Sequence, residues 1–208
     1  MPGFALRAQD NLRTDGMENL VYIGTGIEPT WDLTLGYQRP MKIGRCTMYP
    51  YAEWHPSVVR FGFRNWNSKL GMRYRVIQKG AFAVINNTLL SPGRVETRNF
   101  NSFKIAISDR ILIGLFDPRK YLAFSAEYKK IVLSHIHHTA YYREVFYEDA
   151  HDGWYKSTGG MVQFGLEGGF SIGNRWSATI DLKMPLTEKF TGYGGSPANI
   201  NILIAYKL

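Results

Sequence analysis

The side chains best suited to chemistry lie in the segment HIHHT. His135 and His137 are two residues apart, so both rings fall on one face of a β-strand, where side chains alternate. Two imidazoles on one face can hold a metal ion when a third ligand joins them. Glu148, His151 and Asp152 in the following segment are the candidates for that ligand. The alternative is a polar loop base that holds no metal.

A hydroxyl, an imidazole and a carboxylate also occur close together, in Ser134, His135 and Glu127. Such a trio can activate a serine for nucleophilic attack. In a regular strand, however, Ser134 and His135 point to opposite faces, so no direct hydrogen bond between them is expected. No cofactor is indicated by any other motif.

These residues must be positioned by β-strands, because apolar and polar residues alternate along most of the chain. In WSATIDLKM, the first, third, fifth, seventh and ninth residues are apolar and most of the others are polar. The clearest strand segments are 31–38, 58–66, 72–77, 122–129, 162–169, 176–184 and 199–208, with weaker candidates at 44–54, 81–89 and 100–116.

Long and short connections alternate between these segments, counting back from the C-terminus. Long loops such as 88–99 therefore lie on one rim, and the tight turns and both termini lie on the other. We predict an all-β fold, a closed antiparallel up-and-down transmembrane β-barrel of ten strands. The count is eight if 71–87 is a single strand and 40–56 is a loop.

Length and composition fit one such domain. The chain has 208 residues, of which 45% are hydrophobic, and it contains no run of about 18 apolar residues that could form a membrane-spanning helix. We assign 19–208 to the barrel and 1–18 to a signal-peptide remnant and flexible N-terminus, an ordinary frayed terminus being the alternative. The net charge of +8 favours a polyanionic neighbour. Nucleic acid is not indicated, because the arginines are spread over strand interiors without stacking aromatics.

The polar rows indicate which way the apolar rows face. They contain many small residues and charges of both signs, which can pair in a confined lumen, and aromatic residues lie near the strand ends. We therefore predict apolar side chains facing lipid and an ion-pair network in the lumen. Its members are Asp32, Arg60, Arg64, Arg73, Arg75, Glu127, Lys129, Glu167, Asp181 and Lys183. The alternative is a soluble lipocalin-like barrel with an apolar ligand inside.

One residue contradicts the apolar pattern. Asp109 shares a face with Ile107 and Ile111, and a carboxylate facing lipid is costly. We expect a bulge near 108–110, or a register that lifts Asp109 above the bilayer.

The C-terminal half resembles small outer-membrane β-barrel proteins of Gram-negative bacteria, particularly uncharacterised ones of the Bacteroidota type. The similar stretches are HTAYYREVFYEDAHDGWYKSTGGMVQFGLEGGF, MPLTEKF and the terminal ILIAYKL. Ile204, Tyr206 and Leu208 resemble the alternating signal that the barrel-insertion machinery reads, although Phe is the usual last residue. The resemblance implies a location in the cell outer membrane.

The resemblance brings no catalytic motif with it. We therefore predict a structural, binding or narrow-pore, porin-like protein that acts through extracellular loops without catalysis. Outer-membrane lipid and lipopolysaccharide are the expected partners of a monomer, with Arg94, Arg98, Arg143 and Lys156 as candidates to pair with the phosphates. Some barrels of similar size cleave lipid A acyl chains, and in that alternative the trio with His135 is catalytic.

Overall fold

The computed structural model describes residues 19–27, 31–44, 46–58, 64–117, 119–188 and 198–208. The strands within these ranges are β1 (Leu20–Ile27), β2 (Trp31–Gln38), β3 (Met41–Ile43), β4 (Cys46–Pro56), β5 (Trp66–Lys79), β6 (Phe82–Glu96), β7 (Phe100–Phe116), β8 (Lys120–His138), β9 (Gly153–Ile172), β10 (Trp176–Thr187) and β11 (Asn199–Lys207). One short helix, α1 (Ala140–Val145), lies between β8 and β9. None of the described helical residues forms a segment long and apolar enough to cross a membrane.

The sheet closes on itself. Each strand from β4 to β11 pairs antiparallel with the next, β11 pairs with β1, and β1 pairs with β2. The ring is completed where β2 pairs with β4. Strand β3 follows β2 after Arg39 and Pro40 and pairs with the same strand, β4. Between the two strands, the amide of Arg39 donates to the carbonyl of Pro50. The ring therefore has ten strands, and the predicted antiparallel ten-strand barrel is confirmed.

The ten strands are not the ten that the pattern indicated. Strand β1 was not predicted, because Gly24 and Gly26 occupy its inward row and give no polar signal. Of the predicted strand 58–66, residues 59–63 lie outside the described residues, and 64–65 form a turn, so that β5 begins at Trp66. The predicted long loop 88–99 is wrong, because β6 continues to Glu96 despite its Pro and Gly. Pairing with β7 along the full length of β6 outweighs those local turn signals.

The two rims differ in the length of their connections. Gly44, Gly80 and Gly173 occupy tight turns on one rim, each with the positive φ that glycine adopts readily, and the paired ends Leu20 and Lys207 lie on the same rim. The other rim has the connection that contains α1. Strands β6 to β9 have 15 to 20 residues, whereas β1, β2, β10 and β11 have 8 to 12. One side of the wall therefore exceeds the roughly ten residues that cross a bilayer.

The apolar rows face outward and the ionic rows face inward. Leu122 is 62% exposed and Ile204 is 45% exposed, whereas Glu167, directly after the outward Leu166, is only 4% exposed. This arrangement is the one that the polar rows predicted, and it is the reverse of a soluble barrel with an apolar interior.

Asp109 faces outward as predicted, but the expected bulge is wrong. The register of β7 is continuous through 108–110, and the irregularity lies where Val132 of β8 is inserted opposite Ile105 and Ala106. Asp109 instead accepts hydrogen bonds from Thr88 Oγ1 (2.7 Å) and Asn86 Nδ2 (3.1 Å). These two donors on β6 compensate the carboxylate on the outer wall.

Candidate functional site

The candidate site is the lumen, which holds a cavity of about 110 Å³. All ten strands of the ring contribute side chains to it. The charged side chains that line the cavity are Glu53, His55, Lys69, Arg73, Arg110, Glu127, Lys129, Glu167, Asp181 and Lys183. Four carboxylates thus face five permanent cations in a space smaller than the roughly 300–1,000 Å³ of typical ligand pockets.

A continuous ion-pair network covers the wall formed by β7 to β10. Arg110 Nη2 donates to Asp181 Oδ1 (2.8 Å) and lies 3.0 Å from Glu167 Oε2. Lys183 Nζ forms ion pairs with two carboxylates, at 3.3 Å from Asp181 Oδ2 and 2.9 Å from Glu127 Oε2. All five side chains are at least nine-tenths buried, so their charges are compensated by one another rather than by water.

A second cluster lies on the wall formed by β1, β2 and β4. His55 Nε2 is 2.8 Å from Glu53 Oε2, and His55 Nδ1 is 3.1 Å from Thr34 Oγ1 and 3.7 Å from Asp32 Oδ2. Tyr22 donates to the other oxygen of Glu53 at 2.9 Å. A hydroxyl, an imidazole and a carboxylate in this order can activate a nucleophile. Thr34, however, is only 1% exposed, so its hydroxyl is covered and the cluster ties three strands together.

Three inward tyrosines lie over glycines of a neighbouring strand. A Cβ atom added to Gly36, Gly71 or Gly169 would approach a tyrosine ring to 2.1–2.3 Å, and the rings belong to Tyr22, Tyr51 and Tyr121 respectively. The small residues of the polar rows therefore make room for tyrosines whose hydroxyls reach the polar groups of the lumen. Tyr121, for example, donates to Glu167 at 2.8 Å.

The structure distributes the predicted network residues over three locations. Those that face the lumen are Asp32, Arg73, Glu127, Lys129, Glu167, Asp181 and Lys183. Arg75 lies nearer the rim that carries the tight turns, and it donates a hydrogen bond to Gln78. Arg64 is not in the lumen: its side chain is 77% exposed on the opposite rim, because β5 begins only at Trp66. Arg60 lies outside the described residues.

Several important lumen residues were missed by the sequence reasoning. Arg110 is the centre of the network, and the alternation that turns Asp109 outward also turns Arg110 inward. Glu53 and His55 lie in a segment that gave only a weak strand signal, although their spacing of two places them on one face. Lys69 and Tyr121 line the cavity as well, and each lies just outside a segment recognised as a strand.

The predicted metal-binding pair, His135 and His137, does not converge on one site. His135 packs edge-on against Trp154, with ring centroids 4.8 Å apart, whereas His137 pairs with Asp152. Asp152 also accepts from the backbone amide of His138 (2.8 Å) and from Arg143 Nη2 (2.7 Å). Within the described ranges, no three His, Cys, Asp or Glu side chains are grouped so that they could hold a metal ion.

The trio proposed for hydrolysis is likewise dispersed. Ser134 Oγ lies 2.8 Å from Thr158 Oγ1, on the opposite face of β8 from His135. Glu127 is bound to Lys183 in the lumen. The Ser134 hydroxyl therefore meets neither the imidazole nor the carboxylate.

Asp152 holds the α1 connection to the end of β8. The His138 amide, together with the Arg143, His138 and His137 side chains, lowers the pKa of Asp152 well below its ordinary value. A lowered pKa stabilises the fold above the unfolded value of about 3.9, and the contribution is lost as pH falls through the folded value. We expect Asp152→Asn, or acidification below about pH 4, to lower the hydrogen-exchange protection factors of the 139–152 amides, each taken relative to the exchange rate of an unfolded chain at the same pH. Asp149→Asn, an exposed carboxylate of the same connection, is the control and should leave exchange unchanged.

No protein-family model and no curated protein matches this chain.

Proposed function

We propose that the chain is an integral outer-membrane β-barrel protein of a Gram-negative bacterium, with a narrow ionic lumen and no catalytic role. One observation carries the proposal: a closed barrel directs its apolar rows outward on every side and its ion pairs inward. In water such a wall would expose large apolar side chains on all sides, whereas in a bilayer the same side chains contact hydrocarbon. Closure leaves no open strand edge, which the bilayer demands and which suits a monomer.

The soluble alternative requires a different interior. A lipocalin-like barrel binds an apolar ligand against apolar side chains. In this lumen the cavity is lined by charged groups such as Arg110 and Glu167, and a buried charge would have to lose its partners to admit an apolar molecule. The interior supports the membrane proposal rather than this one.

The rim with the longer connections is the surface available for partners. It projects beyond the crossing length on the β6–β9 side, and it carries exposed aromatic side chains, with Tyr147 67% exposed and Trp154 60% exposed. Arg94 is exposed on this side, Arg98 stacks 3.7 Å from the centroid of the Tyr141 ring, and lipopolysaccharide phosphates are the partners that we propose for these guanidinium groups. Arg143 is already held by Asp152.

The membrane proposal is tested by placing a charge on the outer wall. Ile180 is 45% exposed, and it pairs with Ile202 in the middle of β11. For the chain refolded in lipid vesicles, we expect Ile180→Arg to lower the free energy of unfolding by about 2–4 kcal/mol, because the guanidinium must enter hydrocarbon. Urea titration in the vesicles measures the change.

Val145→Arg provides the matched control for this test. Val145 is 55% exposed in α1, on the rim, so an arginine there meets water and should change the stability by no more than about 0.5 kcal/mol. Equal effects of the two substitutions, or folding of the wild-type chain in buffer without lipid or detergent, would contradict the membrane proposal.

A further inference from the structure

Three neighbouring strands place two arginines and an asparagine side by side in the lumen. Arg73 of β5 pairs directly with Asn87 of β6, and Asn87 pairs directly with Arg110 of β7. All three side chains line the cavity. Because adjacent strands are about 4.8 Å apart, the two arginine backbones are separated by about 10 Å, with the asparagine between them.

Arg73 is the unusual member of this row. Arg110 is neutralised by Glu167 and Asp181, but within the described part of the chain Arg73 forms no ion pair and no hydrogen bond. Its one close contact is the face of the Tyr51 ring, 5.8 Å from the guanidinium carbon to the ring centroid. The carboxylate that acts most strongly on it electrostatically, Glu167, is already engaged by Arg110 and Tyr121.

The row also presents hydrogen-bond donors that other groups do not use. The Nε atoms of Arg73 and Arg110 are both buried and have no partner among the described residues. Asn87 accepts the Tyr51 hydroxyl at its Oδ1 (2.9 Å), which orients its Nδ2 group as a further donor. A buried guanidinium without a counter-charge is costly, and two guanidinium groups flanking an amide match the oxygens of an oxyanion.

We infer that the Arg73–Asn87–Arg110 row is a binding site for one small oxyanion, a phosphate or carboxylate group. The cavity of about 110 Å³ limits the occupant to a group of that size. The oxyanion supplies the counter-charge that Arg73 lacks, and it accepts from donors on three strands. The site requires only the interior of the barrel, so it is independent of whether the outer wall contacts lipid.

Inorganic phosphate is the probe for this site, with acetate titrated in parallel to separate phosphate from carboxylate preference. The folded full-length chain in detergent, at pH 7.5 and constant ionic strength, is titrated by calorimetry while its thermal unfolding midpoint is recorded. We expect saturable binding of at least one of the two anions and a rise in the midpoint. Arg73→Gln should weaken binding about tenfold or more, because one charged partner of the anion is removed.

Two further variants keep the result interpretable. Arg119→Gln removes the same charge from an exposed position in the turn between β7 and β8 and should bind the anion as the wild type does. Asn87→Asp places a carboxylate between the two arginines, so it should abolish anion binding and raise the unfolding midpoint without anion. Failure of the wild type to bind either anion saturably, or binding by Arg73→Gln and Asn87→Asp as tight as in the wild type, would overturn the inference while leaving the membrane proposal untouched.

Discussion

Replacing Arg110 with methionine is expected to lower the free energy of unfolding by about 3–5 kcal/mol. The substitution keeps much of the side-chain volume but removes the cation that Glu167 and Asp181 share at 3.0 and 2.8 Å. Both carboxylates are buried, and only Lys183 remains to compensate Asp181. Because Lys183 also pairs with Glu127, three buried carboxylates of the network are left with one cation, which costs far more than a broken surface pair. Urea unfolding of the folded barrel, followed by tryptophan fluorescence, measures the loss.

Arg73→Met is the control within the same row. It removes an identical guanidinium group from the inward position two strands away, on the other side of Asn87. Arg73 has no ion pair among the described residues, so no carboxylate loses its partner. Without added anion, its effect should be about 1 kcal/mol or less. Equal losses in the two variants would show that the Arg110 network does not stabilise the barrel through its ion pairs.

Gly169→Val is expected to destabilise the barrel by about 3–5 kcal/mol, because overpacking is combined with lost hydrogen bonds. A Cβ at Gly169 would lie 2.3 Å from the Tyr121 ring and 3.0 Å from the carbonyl oxygen of Ala178, which cannot move away. Tyr121 must then leave its position, where its hydroxyl donates to Glu167 (2.8 Å) and lies within hydrogen-bond distance of the Thr179 hydroxyl (3.2 Å). The same unfolding titration measures the change.

The neighbouring Gly168→Val separates this effect from a general intolerance of valine. Gly168 faces outward on the same strand, and its added Cβ would make ordinary contacts of 3.5 Å and 3.6 Å with β8. Valine is a favourable strand residue, so stability should be unchanged or slightly increased. If both variants lose the same stability, the tyrosine-over-glycine packing is not the cause.

The two predictions describe complementary parts of the same interior. Ion pairs fix the wall from β7 to β10, whereas tyrosines over glycines fill the space between strands without adding charge. Arg73 borders the remaining cavity, and its charge is neutralised neither by these ion pairs nor by the tyrosine packing. We therefore expect a ligand that enters the lumen to bind at Arg73.

The sequence alone was sufficient for the class of fold and for the direction of its faces. Alternation with period two determines which residues share a face, and Ile204 and Glu167 could be assigned outward and inward on that basis. These conclusions depend only on local order along a strand.

The limits of the strands were decided by tertiary pairing. Strand β1 has glycines on its inward row, and only the ladders to β2 and β11 on either side of it make it a strand. Pro92 and Gly93 taken alone predict a turn. Strand β6 nevertheless continues through them, because β7 pairs with it along its whole length. Arg64 was predicted to face the lumen because the local alternation indicated a strand through it. The strand pairing does not reach Arg64.

The candidate site belongs almost entirely to the tertiary structure. The sequence identifies Arg73 as a charged residue of an inward row but misses Arg110, and it cannot say which carboxylates reach either arginine. Glu167 lies 94 residues from Arg73 and 57 from Arg110, and Asp181 lies 71 residues from Arg110. Strand register decides that Arg110 meets two carboxylates and that Arg73 meets an aromatic face. Composition thus determined that the lumen is ionic, and register across ten strands decided which of its charges are compensated, since ion pairs act over a few ångströms in space rather than along the chain.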